Sequence, residues 1–369
     1  MSNETFEIFL ACAPGLEPVL RDEARDLGFD KPICVPGGVT FCGGWPEVWR
    51  ANLELRGAGR VSARLGSFRA MHLAQLDKRA RKFPWGDVLR RDVPVKVEAT
   101  CRKSRIYHDK AAAQRVERAL DEAAGIPVSK DAALTLRCRI EDDLCTFSID
   151  TSGALLHKRG HKEAVGKAPM RETLASLFLR QCGFTGDEPV IDPMCGSGTF
   201  VIEAAEMALG LKPGRSRSFA FEQLAGFDAE AWEAMKAAQP PRDCGLTFRG
   251  SDRDAGAVAM SRQNADRAGV SSVTEFADHA VSDMQRPEGP PGLVIVNPPY
   301  GGRIGNKKLL YALHASLGQV MKERFTGWRL GIITNEAGLA RATGLDLQTG
   351  PPVAHGGLKV RLFQARIPG

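Results

Sequence analysis

The sequence predicts an α/β protein in which two α+β units precede a mostly parallel sheet with helices on both faces. Three observations carry this. Beyond residue 189, apolar strand-like runs alternate with helical stretches, the order that produces a parallel sheet with crossover helices. Before residue 150, strands and helices mix without a glycine loop of nucleotide-binding type. The chain is also 369 residues long, more than the ~250 residues one hydrophobic core usually serves.

Taken in order, Phe6–Ala11 alternates as a strand and Gly15–Leu27 carries apolar residues at helical spacing. Val39–Phe41 reads as a strand, and Trp45–Leu55 as a helix opened by Trp-Pro. In a second α+β unit, Val61–Phe68 and Val93–Thr100 are strands, Asp109–Ala124 is a helix stopped by Gly125 and Pro127, and Leu134–Arg139 and Cys145–Ile149 are further strands. A polar stretch rich in Gly, Lys and His runs from Ser152 to Pro169. The alternating pattern then begins: Pro189–Asp192 before Thr199–Leu209, Thr247–Ser251 before Asp254–Ala268, Val273–Phe276, Leu293–Val296 before Lys307–Arg324, Leu330–Thr334, and Lys359–Ala365. Gly210–Gly245, with Pro213, Pro240 and Pro241, reads as a long irregular insertion without an assigned role.

The composition, 43% hydrophobic and 25% charged, is that of a folded chain rather than a disordered or collagenous one. No apolar run approaches the ~18–20 residues that span a bilayer, and the first residues lack the order of a signal peptide. Nine cysteines without a Cys-x-x-Cys pair suggest neither a disulfide framework nor a sulfur-rich metal site. The seven histidines are scattered; His157 and His161 lie four apart beside lysines and read as phosphate-facing or exposed. The expectation is a cytoplasmic protein with no membrane and no metal. The net charge of +6 is uneven: seventeen Lys or Arg against six Asp or Glu between Arg56 and Arg118 leave −5 for the remainder. A basic block beside an acidic remainder is the footprint of a nucleic-acid-binding module, since each phosphate contact releases a counterion. Arg79, Arg81, Lys82, Arg90, Arg91, Arg102, Lys103 and Arg105 are its candidate nucleic-acid contacts.

Asp192-Pro193-Met194-Cys195-Gly196-Ser197-Gly198-Thr199 joins the first strand of the alternating region to its first helix. Ligands of open α/β sheets bind beyond strand carboxyl ends, so a cofactor belongs at this turn. Gly196 and Gly198 let the backbone bend tightly and approach it closely. Val201 replaces the third glycine of a dinucleotide fingerprint, and no Gly-Lys-Ser/Thr follows, which excludes a P-loop. Gly250-Ser251-Asp252 ends the next strand, where a carboxylate can accept from ribose hydroxyls; capping of the following helix by Asp252 or Asp254 is the plainer alternative. Asp278, ending the third strand, can accept an adenine amine or serve as an ordinary turn residue.

Leu293-Val294-Ile295-Val296 then runs into Asn297-Pro298-Pro299-Tyr300. The apolar run is a buried parallel strand. The prolines hold the next residues extended and remove two donors, leaving the Asn297 side-chain oxygen and the Pro298 carbonyl as acceptors. A nucleobase amino group needs two such acceptors, and Tyr300 can stack on the base's face.

These residues resemble the class I S-adenosylmethionine-dependent methyltransferases that modify exocyclic amines. The wider pattern is similar to the THUMP-domain RNA methyltransferases, notably the bacterial 23S rRNA and tRNA guanine-N2 enzymes. Thr151–Gly153 through Lys158-Arg159-Gly160-His161-Lys162, Lys167 through Ala175, Asp192 through Ala205, and Asn297 through Gly301 carry the likeness. The resemblance implies a Rossmann-like methyltransferase fold with a mostly parallel seven-stranded sheet over 169–369. It further implies a ferredoxin-like domain over 1–57, a THUMP domain over 58–150 and a linker over 151–168. By the same likeness Asp192, Pro193, Cys195, Gly196, Ser197, Gly198 and Thr199 border S-adenosylmethionine. Asp252 takes its ribose and Asp278 its adenine, while Pro169, Arg171 and Thr173 cover the methionine end. Asn297, Pro298 and Tyr300 hold the target base, Asn297 touching the cofactor side too, and structured RNA is the partner. Met170 and Thr173 stand where the family commonly has Leu and Asn, and the gap from Asp192 to Asp252 exceeds a simple βαβ unit.

An adenine-N6 DNA methyltransferase satisfies the same Asn-Pro-Pro-aromatic geometry. A nicotinamide-dependent dehydrogenase is disfavoured by the missing third glycine, and a non-catalytic RNA-binding or ribosome-assembly protein by the intact motifs.

Overall fold

The computed structural model describes residues 5–163, 170–238, 241–299 and 307–369. Contacts divide the chain into two compact units. One holds Met1–Cys12, Glu23–Leu156 and Arg217–Gln239; the other holds Ala13–Asp22, His157–Ser216 and Pro240–Gly369.

The first unit is built from β1 (Phe6–Ala11), part of α1 (Glu17–Asp26), β2 (Ile33–Val35), β3 (Gly38–Gly43), α2 (Trp45–Glu54), β4 (Arg60–Arg69), α3 (Leu73–Ala80), β5 (Val95–Arg102), α4 (Asp109–Arg118), β6 (Leu134–Glu141) and β7 (Leu144–Asp150). Its seven strands form one sheet in the order β2-β3-β1-β4-β7-β6-β5. Every pairing is antiparallel except β5 with β6. The point between residues 57 and 58 falls where β4 is about to pair with both β1 and β7, so hydrogen bonds run continuously across it. Alternation sets the faces: Leu134, Leu136, Cys138 and Ile140 of β6 are buried, while Arg137 and Arg139 turn the other way. Pro46 sits in the first turn of α2, where its missing N–H costs nothing. The expected helix 109–124 is α-helical to Arg118, winds as a π-helix over Ala119–Ala124, and ends at Gly125 with φ +65°. β2 and α3 are additions to the sequence reading; both are too short for a clear period.

In chain order the remaining elements are α5 (Glu172–Gln181), β8 (Val190–Asp192), α6 (Thr199–Ala208), α7 (Ala229–Ala237), β9 (Phe248–Asp252), α8 (Ala255–Ala268), β10 (Thr274–Asp278), β11 (Leu293–Val296), α9 (Lys307–Arg324), β12 (Arg329–Thr334), α10 (Ala337–Arg341), β13 (Gln348–Thr349), β14 (Val353–His355) and β15 (Leu358–Arg366). All but α7 belong to the second unit.

The insertion is less irregular than its prolines suggest. It holds a 3-10 turn at Ala220–Gln223 as well as α7, and Arg217–Gln239 is part of the first unit. Phe221 stacks on Trp49 of α2 at 6.0 Å and meets Trp232 edge-on at 5.0 Å. Arg217 donates to the Ser152, Ala154 and Leu155 carbonyls. A buried aromatic cluster with no fixed sequence period holds this segment, which is why periodicity missed it.

The second unit's sheet runs β10-β9-β8-β11-β12-β15-β13, with β14 added on β15. Strands β8 to β12 are mutually parallel, and β15 is antiparallel to β12, β13 and β14. Seven strands were expected and eight are present; β13 and β14, which the sequence reading did not place, are two- and three-residue partners of β15 too short to read by alternation. The chain leaves β8 toward β9 and β10 on one side and returns to β11 and β12 on the other, so the strand order reverses at β8. That reversal opens a crevice at the carboxyl ends. The four residues of β11 are each 0% exposed, and Val294 and Val296 share a core with Leu317, Met321 and Trp328. Among the described residues no helix is long and apolar enough to cross a membrane.

Candidate active site

Strand register brings the predicted residues together. Asp192, last in β8, pairs with Gly250 of β9; Asp252, last in β9, pairs with Asp278, last in β10. On the other side Leu293 and Val294 of β11 pair with Val190 and Ile191 of β8, and Asn297 follows β11 directly. Asp192, Asp252, Asp278 and Asn297 therefore stand at one end of four neighbouring parallel strands.

The turn after β8 is fixed by its surroundings. Gly196 (φ +55°) and Gly198 (φ +82°) occupy the left-handed region, where a side chain is strained. Gly198 is the N-cap of α6. Helix α8 clamps the turn: Ser261 donates from its hydroxyl to the Gly196 carbonyl at 2.9 Å, and Asn264 donates to the Ser197 carbonyl at 3.0 Å. A Cβ at Gly198 would press on Ser261 at 3.1 Å, whereas one at Gly196 would meet nothing within 4 Å among the described residues. Gly196 thus borders open space. The Cys195 N–H donates to the Ser251 carbonyl, tying the turn to β9; burial pushes the Cys195 thiol up, so it stays a thiol.

Asp252 accepts from the Gly196 N–H at 3.1 Å with one oxygen and from the Asp254 N–H at 3.1 Å with the other. Its carboxylate is held in place with lone pairs left for hydroxyl donors. The capping role goes to Asp254, which accepts from the Gly256 N–H at the start of α8. Asp192 is 2% exposed and accepts from the Met194 N–H. Burial pushes its carboxyl up to about 8; the Met194 bond opposes this and the charge of Asp252 adds to it. Asp278 is exposed at the rim.

Pro298 is buried and Asn297 half-buried, and the Asn297 Oδ1 is enclosed with no hydrogen-bond partner among the described residues. An enclosed acceptor without a donor costs about 1–3 kcal/mol, a cost a donor ligand would recover. Of the other predicted residues, Thr173 is buried in the first turn of α5 and Arg171, its N-cap, is exposed. Tyr300 and Pro169 lie outside the described residues. Among those residues no group of His, Cys, Asp or Glu could hold a metal ion.

Sequence reading missed a buried charged girdle behind the turn. Lys162 donates to the Met170 carbonyl at 2.8 Å and to the Thr199 hydroxyl at 2.9 Å, and pairs with Glu172 at 3.2 Å. Arg159 pairs with Glu203 of α6 with both side chains 1% exposed. His161, expected to be exposed or phosphate-facing, is instead buried 3.9 Å from Glu206. Burial lowers the proton affinity of His161, and burial with Arg171 and Lys158 nearby lowers that of His157 to about 4. Acids at 203 and 206 in an otherwise apolar helix were the available signal: a buried carboxylate demands a cationic partner.

In the first unit the eight basic candidates divide. Arg81 pairs with Asp77 and Glu122, Arg90 with Asp92, and Arg105 lies 3.9 Å from Asp143. Arg79, Lys82, Arg91, Arg102 and Lys103 are exposed.

Against known families, residues 159–349 match the model described as RMKL-like, methyltransferase domain. The chain belongs to this family. Residues 7–62 match the RlmL ferredoxin-like domain. A ribosomal RNA large subunit methyltransferase K/L of Psychromonas ingrahamii is 33% identical over 91% of this chain and 47% of its own length. The chain spans about half the length of the K/L relatives it matches. A Listeria monocytogenes structure, named as a predicted N6-adenine-specific DNA methylase, is 30% identical with a TM-score of 0.88, covering 99% of this chain and 97% of that one. A provisionally named methyltransferase solved with SAH is 27% identical over the full length of both chains, also with a TM-score of 0.88. Family and neighbours make this an S-adenosylmethionine-dependent methyltransferase fold, and the open flank of Gly196 beside the fixed Asp252 carboxylate fits that cofactor.

Proposed function

We propose that this chain is an RNA methyltransferase that transfers a methyl group from S-adenosylmethionine to a base's exocyclic amine, guanine N2 of 23S rRNA being the favoured target and tRNA the other. The observation that carries this is the enclosed Asn297 Oδ1, without a donor among the described residues, one strand away from the glycine turn.

Asp252 would accept the ribose hydroxyls and Asp278 the adenine amine. The turn 192–199, with Arg171, Thr173 and Pro169, would hold the methionine end. The bound cofactor supplies an electrophilic methyl on a cationic sulfur. Asn297 Oδ1 and the Pro298 carbonyl accept the two N–H bonds of the amine, which raises electron density on its nitrogen and aims its lone pair. Fixing that approach can contribute several kcal/mol. With its lone pair so aimed, the nitrogen would take the methyl group the cofactor supplies, the bonding electrons staying with the donor sulfur and the surplus proton passing from nitrogen to water. No strong base is needed beforehand, in keeping with the absence of a histidine among the four strand-end residues. Tyr300 would cover the base. Residues 58–150, in this reading a THUMP domain after a ferredoxin-like domain over 1–57, would grip structured RNA through the exposed Arg and Lys, with 151–168 leading to the methyltransferase domain. The setting is the cytoplasm.

Adenine N6 of DNA, as the Listeria relative's name states for that protein, offers the same two N–H bonds. Transfer of tritium from labelled S-adenosylmethionine into RNA but not genomic DNA supports our reading; the reverse replaces it. Asn297→Ala should abolish transfer and leave cofactor affinity nearly unchanged, and retained turnover removes its role.

A further inference from the structure

We infer that one corner of the first unit, the β5–α4 loop with the β6–β7 turn, is a stacking platform for an unpaired stretch of RNA, with Tyr107 as the surface on which a base lies. The inference rests on the RNA reading above and adds where, and in what form, the RNA is held.

Tyr107 is 73% exposed, its ring 4.4 Å from that of His108. Met71 and Leu144, at 45% and 39%, are also among the large apolar side chains left in water. They belong to the same corner: Arg105 reaches the Met71 sulfur at 3.3 Å, and the Ala70 N–H donates to the Asp143 carbonyl beside Leu144. Exposed apolar groups gathered at one place mark a contact surface, whereas single ones do not.

The loop that carries Tyr107 is held rigidly. Asp109 accepts from the Cys101 N–H at 2.7 Å and Asp143 from the Arg105 N–H at 2.8 Å. The Ser104 hydroxyl accepts from the Asp143 N–H and donates to the Arg102 carbonyl. Ile106, 4% exposed, anchors the loop from inside. Lys103 sits at φ +46°, a left-handed conformation a long side chain adopts only when its surroundings impose it. Asp142 and Asp143, at +50° and +61°, are ordinary for a two-residue hairpin turn. The frame therefore fixes the backbone from which an exposed aromatic ring projects.

Charge selects the occupant. Across the two connections Arg102, Lys103, Arg105 and Lys110 stand against Asp109, Asp142 and Asp143, of which Asp109 and Asp143 are taken up by backbone amides; Arg69, which donates to the Asp142 carbonyl, adds a fifth cation. An exposed ring on a loop rich in cations suits a base with its flanking phosphates. In a duplex the base faces are already stacked, so the platform serves a loop, bulge or tail.

The test uses the full chain and fluorescence anisotropy with labelled oligouridylate and with a blunt RNA duplex of equal length. Tyr107→Ala should weaken oligouridylate binding about 5- to 100-fold, Tyr107→Phe should restore it, and duplex binding should stay as in the wild type. Unchanged oligouridylate binding by Tyr107→Ala, or an equal loss for both RNAs, overturns the platform. If the wild type methylates RNA while Tyr107→Ala binds normally, only the platform fails; a wild type that methylates no RNA removes the reading beneath it.

Discussion

The two sheets of this chain distribute their ends differently. In the first unit, antiparallel strands leave the sheet alternately at both ends, and the basic residues scatter over several connections. In the second, five parallel strands all finish on one side, so each strand's last residue is delivered to the same place. A parallel sheet concentrates chemistry and an antiparallel one spreads contact, as the function proposed above requires of one unit that holds a small cofactor and another that grips an extended polyanion.

The largest effect that would break this comparison lies at Lys162, which braces the turn from behind. Lys162→Met leaves Glu172 without its cation, and breaking a buried pair from one side costs about 3–5 kcal/mol. The lower end is expected, because burial has already raised the Glu172 carboxyl, so it can take up a proton. Thermal or urea unfolding should show this loss, with Lys162→Arg recovering most of it. KM for S-adenosylmethionine should rise more than kcat falls. A variant with wild-type stability and KM would mean that the girdle does not support the turn.

Next comes Asp252→Ala. Losing the two charge-assisted bonds proposed to the ribose should weaken S-adenosylmethionine binding about 10- to 100-fold by calorimetry, with oligoribonucleotide affinity unchanged. If RNA affinity falls equally, the division of labour is wrong.

A smaller effect sharpens the RNA side. Arg102 is exposed, whereas Arg90 is engaged by Asp92 at 2.5 Å. Arg102→Ala should reduce the slope of log affinity against log salt by about 1, and Arg90→Ala by less. Equal slopes would show that internal pairing does not decide which cations meet phosphate.

The smallest concerns His157. Its folded value of about 4 lies below the ordinary 6.5, so it favours the neutral ring. The stability this gives is complete above about pH 6.5 and is lost as pH falls through about 4. His157→Gln should flatten the melting temperature across that window; an unchanged acid limb would assign it to other groups.

How much was legible follows from the same contrast. Asp192 and Asn297 each follow an apolar run and Asp252 ends the mixed strand Phe248–Asp252, so strand pattern plus residue type singled them out before any fold was known. Their adjacency could not be read, because it depends on β11 returning beside β8 rather than beside β10. Lys162 and Arg159 were opaque for another reason: their partners, Glu172 and Glu203, lie in helices, and nothing local marks a lysine in a polar stretch as buried. Tyr107 was not singled out at all, because neither its exposure nor the frame around Ile106 can be read from residue order. In the insertion, Phe221 and Trp232 gave no period, and their partner Trp49 lies far away in the chain.

The most direct test of the central claim is nucleoside mass spectrometry of RNA treated with the protein and S-adenosylmethionine, run in parallel with Asn297→Ala. We expect N2-methylguanosine from the wild type and none from the variant. A methyl group on a ring atom, or the same product from Asn297→Ala, would contradict it.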